Sequence, residues 1–420
     1  MSQAISLALM SAITIGANFV FQVVLLGALG PGRETDAFFA SLAVPQLIIV
    51  LVTVTAMQVL VPLLAGAGEA ELDEQAWTFV LVVAGGVSAL GGVAALAAPS
   101  WAPLVAPGLG AAARPVLVAL TRVQLAAMVL GALATMLAAV CHARRRFLRV
   151  ELGLALGTLT SLALLPWALG RWGVLAAAWL MVLRMSVYAG FLAPALGPLR
   201  AIAWRGEAVA TAWRRLRPIL LGGTLFRTDQ LVDRILSSLA PAGGLSLLAF
   251  AQQVCAAGEQ VLQKALVAPL VPQLAGHAAA GRDAEFFLAV RRRLPWCLAL
   301  TVLPYLLLLA LGRPALGLLA GHGIDSADVT LLWWLLVALG GVLIGGVLGQ
   351  LASAAFFARG DTVTPMRVGV VTYLVYLPVK VLAFLGAGLL GLPIAASLWV
   401  LAGSALLLRA LAKGRRHAAG

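Results

Sequence analysis

The sequence predicts an all-α integral membrane protein with twelve transmembrane helices in two six-helix lobes, residues 1–210 and 211–420, related by a pseudo-two-fold along the membrane normal. Three observations predict it. Hydrophobic residues make up 62% of the 420 and mean hydropathy is +1.03, well above the roughly half-apolar composition of a soluble domain. Apolar stretches of about 20 residues recur along the chain, each long enough to cross a hydrocarbon core. The chain also repeats itself at half its length. "LVPLLAGAGEA" at 60–70 returns as "LVPQLAGHAAA" at 270–280, "ALGPG" at 28–32 faces "SLAPA" at 238–242, and "HARRRFLRV" at 142–150 loosely matches "FARGDTVTPMRV" at 357–368. Halves with an even number of spans share one orientation, and such paired bundles hold a substrate site near the midplane.

The first helix is expected at 4–29, because "MSQAISLALMSAITIGANF" lacks the basic start of a cleaved signal. The second, at 37–65, comes after the polar turn in "PGRETDAFFASLAVP". Helices at 77–98, 116–140, 150–169 and 174–196 complete the first lobe. The seventh, "PILLGGTLFRTDQLVDRILSSLA" at 218–240, carries four charges; it is expected to cross because otherwise every later basic loop would change sides. The remaining helices are expected at 246–275, 294–319, 331–358, 366–389 and 392–411.

The net charge of +13 is a matter of topology rather than a nucleic-acid footprint. With a cytoplasmic N-terminus, 19 of the 29 basic residues fall in inner segments (for example Arg144, Arg145, Arg146 and Arg149, then Arg291, Arg292 and Arg293), whereas the outer ones hold only Arg33, Arg114, Arg171 and Arg313. That bias follows the positive-inside rule and places both termini in the cytoplasm. Cys141, Cys255 and Cys297 are far apart, as are the four histidines, so neither a disulfide framework nor a metal site is expected. No "GxxxxGK[ST]" loop is present, and no cofactor is expected. A membrane transferase would need a loop acid cluster or a mid-span histidine. The acid-rich "GEAELDEQ" at 68–75 has no metal-type spacing, so an enzyme is not favoured.

Six basic residues remain inside the expected spans, Arg122, Arg184, Arg227, Arg234, Lys264 and Lys380, beside three acids, Asp229, Asp233 and Glu259. Charges at such depth normally face a cavity or a partner. In the seventh helix Arg227, Asp229, Gln230, Asp233, Arg234 and Ser237 share an arc of about 160° at 100° per residue, with leucines opposite. Either these charges neutralise one another and fix packing, or they line a hydrated cavity; the excess of base suits an anionic substrate. Arg122 is expected to snorkel, while Arg184 and Lys380 stand open between cavity and structural pairing. In the outer turn Asp36 is expected to cap the second helix or, with Arg33, to form an outer gate.

"GPGRETDAFFASLAVPQ" at 30–46, with "VDRILSSLAPAGGLSLLAFAQQV" at 232–254, "ALVAPLVPQLA" at 265–275 and "AFFARGDTVTPMRVGVV" at 355–371, resembles the MurJ (MviN) lipid II flippases of the multidrug/oligosaccharidyl-lipid/polysaccharide flippase superfamily. The resemblance implies alternating access for a polyprenyl-pyrophosphate-linked saccharide, membrane lipid as surroundings, and a monomer. It also implies departures. The family's first-span arginine and aspartate fall at Phe21 and Gln22, its paired arginines after the second-span "PN" at Ile49 and Val50, and the arginine of its "YADR" at Gln253. Typical members have fourteen spans against the twelve expected here. The expected substrate-binding set is Arg227, Asp233, Arg234, Lys264 and Gln253. The rivals are a flippase for a polysaccharide or O-antigen-type repeat unit and, less favoured, a drug antiporter, which would need an acidic cavity.

Overall fold

The computed structural model describes residues 2–198, 206–318 and 323–418, and among these none lies in a β-strand. Nine helical stretches among the described residues are long and apolar enough to cross a membrane; the last, Val363–Lys413, contains two helices joined by a short 3₁₀ turn at Gly388–Leu390. The chain falls into two compact units, Met1–Leu245 and Ser246–Gly420.

The first unit holds α1 (Ser2–Leu29), α2 (Arg33–Ser41), α3 (Ala43–Thr55), α4 (Val61–Ala65), α5 (Glu69–Leu96), α6 (Ala98–Val105), α7 (Gly110–Ala143), α8 (Phe147–Trp172), α9 (Val174–Leu192) and α10 (Glu207–Ser238). The expected second helix is continuous in course but broken at Leu42, because Pro45 has no N–H to offer the carbonyl of Ser41. α7 is the hub, packed by α2, α3, α5 and α9. Its small residues Gly131, Ala132, Ala134, Ala138 and Ala139 let those backbones approach. α8 meets α9 through Gly153 and Gly157: a Cβ at Gly157 would lie 2.6 Å from the Arg184 carbonyl oxygen, so only glycine permits this crossing.

The second unit holds α11 (Gly244–Leu262) from Ser246 onward, α12 (Leu270–Ala279), α13 (Asp283–Gly317), α14 (Ser326–Ala338), α15 (Gly340–Ala358), α16 (Val363–Ala387) and α17 (Gly391–Ala418). α15 packs along α17 through Gly341, Gly345 and Gly349, which face Ser397, Leu401 and Ser404. Both glycine ladders have the small-xxx-small spacing that replaces hydrophobic driving force where the solvent is itself apolar.

The internal repeat has local echoes in the two units. A π-helical turn stands ahead of each repeated proline, at Ala56–Leu60 before Pro62 and at Gln263–Val267 before Pro272. α7 and α15 end in the same way: the Arg146 N–H bonds the Cys141 carbonyl and the Asp361 N–H bonds the Phe356 carbonyl, with Arg145 (φ 58°) and Gly360 (φ 76°) in the left-handed region. Arg145 holds there a conformation that costs a non-glycine side chain about 1 kcal/mol. Each turn is also tied to the N-terminal part of another helix in its unit, by Arg144 to Asp73 on α5 and by Arg359 to Asp283 on α13.

Several helices start earlier than the apolar windows indicate, α5 at Glu69 rather than 77 and α13 at Asp283 rather than 294. Their first turns are acidic (Glu69 and Glu71; Asp283 and Glu285), which suits the positive end of a helix dipole but lowers local hydropathy.

Candidate functional site

α2 begins at Arg33, four residues before the expected start, and the capping role falls to Thr35. Its Oγ1 accepts the Gly32 N–H at 2.9 Å and lies 3.0 Å from the carbonyls of Gly30 and Gly32, to either of which it donates. Asp36 is thereby carried into the first turn and buried, 4% exposed, while Arg33 stays exposed. Its Oδ2 accepts the N–H of Gly243 at 2.7 Å, joining two turns that occupy equivalent places in the sequence repeat. Gly243 has φ +90°, and a Cβ there would lie 2.9 Å from the Cβ of Pro31, so the turns meet backbone to backbone.

A third loop closes the same knot. Gly108 donates its N–H to Ser238 Oγ at 3.2 Å, and a Cβ on Gly108 would sit 1.9 Å from the Ser238 carbonyl oxygen. Thr35, Gly108, Ser238 and Gly243 are the residues that sequence reasoning missed. Their one visible signal is a glycine or small polar residue in each of three separate turns.

α10 runs from this knot with its polar residues. Asp233 and Ser237 are buried, 4% and 0% exposed, whereas Gln230 is exposed, so the stripe is not uniformly wet. Arg234 lies near enough to Asp233 and Asp36 to feel both charges, and its Nη1 is buried with no hydrogen-bond partner among the described residues. The structure therefore brings Asp36, Asp233 and Arg234 into one electrostatic neighbourhood. Arg227 belongs to α10, but its side chain lies outside the described residues.

Lys264 and Gln253 belong to the second unit, and both are exposed. Lys264 sits on the π turn, a local widening that often marks functional positions. On α11, Glu259 accepts from Gln350 Nε2 at 2.7 Å and presses on Gly346, where a Cβ would lie 2.5 Å from its Oε1. The remaining intramembrane bases have local companions. Arg184 Nη1 donates to Asn18 Oδ1 at 2.5 Å, and Arg122 Nε to the Ala95 carbonyl at 3.1 Å. Lys380, fully buried, has its Nζ 5.0 Å from the centroid of Tyr376, whose ring stacks on Trp399. No group of three or more His, Cys, Asp or Glu side chains among the described residues could hold a metal ion.

The family model described as "Lipid II flippase MurJ" matches residues 25–418. The chain belongs to the MurJ family. A probable lipid II flippase MurJ of Haemophilus influenzae is 26% identical over 218 residues, spanning 50% of this chain and 42% of that protein, less than half its length. Among solved structures, a lipid II flippase MurJ in an inward closed conformation superposes with a TM-score of 0.83 at 15% identity, covering 97% of this chain and 87% of the other. An inward-facing multidrug resistance transporter of the MATE family gives 0.76 at 15% identity over 97% and 94%. The protein thus has the fold of these transporters and is a multi-pass membrane protein of the MurJ family.

Proposed function

We propose that the protein is a flippase that carries a lipid-linked anionic saccharide, of the lipid II class, across the bacterial inner membrane by alternating access, without enzymatic turnover. The observation that carries the reading is Arg234: a guanidinium whose buried Nη1 has no hydrogen-bond partner among the described residues, within reach of the charges of Asp233 and Asp36, in a chain matched by the MurJ family over residues 25–418. In this reading twelve spans form lobes 1–210 and 211–420, and both termini are cytoplasmic. Arg227, Arg234 and Lys264 meet the pyrophosphate of a polyprenyl-linked substrate, with Asp233 and Gln253 beside them. Charge-assisted bonds to phosphate favour arginine's fork.

The Asp36–Gly243 bond is the outer gate of this cycle, since it joins the repeat-related turns that must part for release. Outward movement of the substrate's negative charge gains about 2.3 kcal/mol per charge per 100 mV when the inside is negative, so no nucleotide site is required. The test is flipping in proteoliposomes loaded with polyprenyl-pyrophosphate saccharides. Arg227→Ala with Arg234→Ala should abolish transport while the protein still folds, and full activity of that double variant would overturn the site. Transport of another polyprenyl-linked glycan but not lipid II would overturn the headgroup class alone.

A further inference from the structure

A pocket of about 430 Å³ lies in the second unit. α12 contributes His277 to its lining, and α13 contributes Glu285, Arg292, Arg293 and Trp296. Its one acid is already answered, because Glu285 Oε2 accepts from Arg282 Nη1 at 3.1 Å. Arg292 and Arg293 leave the pocket positive, and neither has an ion-pair partner among the described residues.

The next three turns of α13 continue the pocket as an apolar stripe. Trp296 is 61% exposed, and Leu300, Leu303 and Leu307 stand at i+4, i+7 and i+11 from it, all exposed. At 100° per residue these four lie within about 60° of one another and share the face of the two arginines. From Trp296 to Leu307 the helix rises about 16 Å at 1.5 Å per residue, close to half of the roughly 30 Å hydrocarbon core. A basic pair, an interfacial indole and an apolar stripe one leaflet long match a phosphodiester headgroup with its acyl chain below.

We propose that this pocket is a binding site for an anionic glycerophospholipid, with the phosphate on Arg292 and Arg293 and an acyl chain along Trp296, Leu300, Leu303 and Leu307. Arginine favours phosphate by its bidentate fork, and Trp296 marks the level of the headgroup. The site is independent of which substrate is transported.

Native mass spectrometry of the full chain, titrated with phosphatidylglycerol or phosphatidylcholine, tests it. The wild type should bind phosphatidylglycerol preferentially, and Arg292→Gln with Arg293→Gln should weaken that binding about thirtyfold, at about 1 kcal/mol per basic residue. Arg367→Gln, an exposed base outside the pocket, should leave it within about threefold. Trp296→Leu, a substitution at an exposed position that should not disturb folding, should also weaken it. Equal binding of the two lipids, wild-type binding by the double variant, or an equal loss at Arg367 overturns the proposal. Displacement by millimolar inorganic phosphate overturns the lipid and leaves a free-anion site; resistance to it supports the lipid.

Discussion

Replacing Asp36 by alanine should detach the turn at Gly243. The carboxylate is 4% exposed and accepts the Gly243 N–H at 2.7 Å. A hydrogen bond to a charged group contributes about 1.5–3 kcal/mol, and the orphaned donor adds its own desolvation penalty. The expected loss is therefore about 2–4 kcal/mol. Asparagine keeps an acceptor at the same place and gives up the charge that Arg234 feels, so Asp36→Asn should cost less than alanine, about 1 kcal/mol. Reversible unfolding in bicelles measures the totals, and amide exchange at Gly243 measures the bond itself. A local loss of 2 kcal/mol raises exchange there about thirtyfold. If Gly243 exchanges at the wild-type rate in Asp36→Ala, or if asparagine costs as much as alanine, the bond does not hold the turn.

Gly108→Ala should destabilise far more than Ser238→Ala, since the first drives a methyl into the Ser238 carbonyl, where it would lie 1.9 Å away, and the second removes two hydrogen bonds, the 3.2 Å bond accepted from Gly108 and the 2.7 Å bond donated to the Ile235 carbonyl, worth about 1 kcal/mol each; equal losses in thermal unfolding would contradict the close approach. Asp73→Asn should cost about 2 kcal/mol, because Asp73 is 8% exposed against Arg144, whereas Asp283→Asn, about half exposed against Arg359, should cost under about 1 kcal/mol; reversed costs in unfolding would contradict the difference in burial. The Asp361 carboxyl is held below the usual aspartate range by bonds from the Thr364 hydroxyl and the Thr364 and Val363 amides. A depressed value means the cap is intact above that range and is lost as pH falls through the lowered value. Protection factors at Val363 and Thr364 should therefore drop on acidification in the wild type and be insensitive to it in Asp361→Ala.

Composition and periodicity alone determined that the chain is helical and membrane-embedded, and where its apolar helices run, since a 20-residue apolar segment has few alternatives in either solvent or bilayer. The repeated prolines and the matched ends of α7 and α15 were legible as sequence repeats, because they are local; the π turns ahead of Pro62 and Pro272 were not, since they end at or before the start of the repeated segments and carry no residue signature. The "TDAFF" segment could be identified as a site but not interpreted. Its threonine, not its aspartate, closes the helix, because starting α2 at Arg33 puts Thr35 at the third helical position and turns Asp36 inward. Only the tertiary structure decided that Asp36 reaches Gly243, 207 residues away, that Arg234 stands beside both acids, and that Arg292, Arg293 and His277 line one pocket. Helix formation depends on hydrogen bonds within a few residues and on a solvent common to every span, so sequence carries it. Which polar side chains meet depends on the rotation of each helix about its axis, which is set by contacts such as those of Gly157 on Arg184 and Gly345 on Leu401, made between residues far apart in the chain.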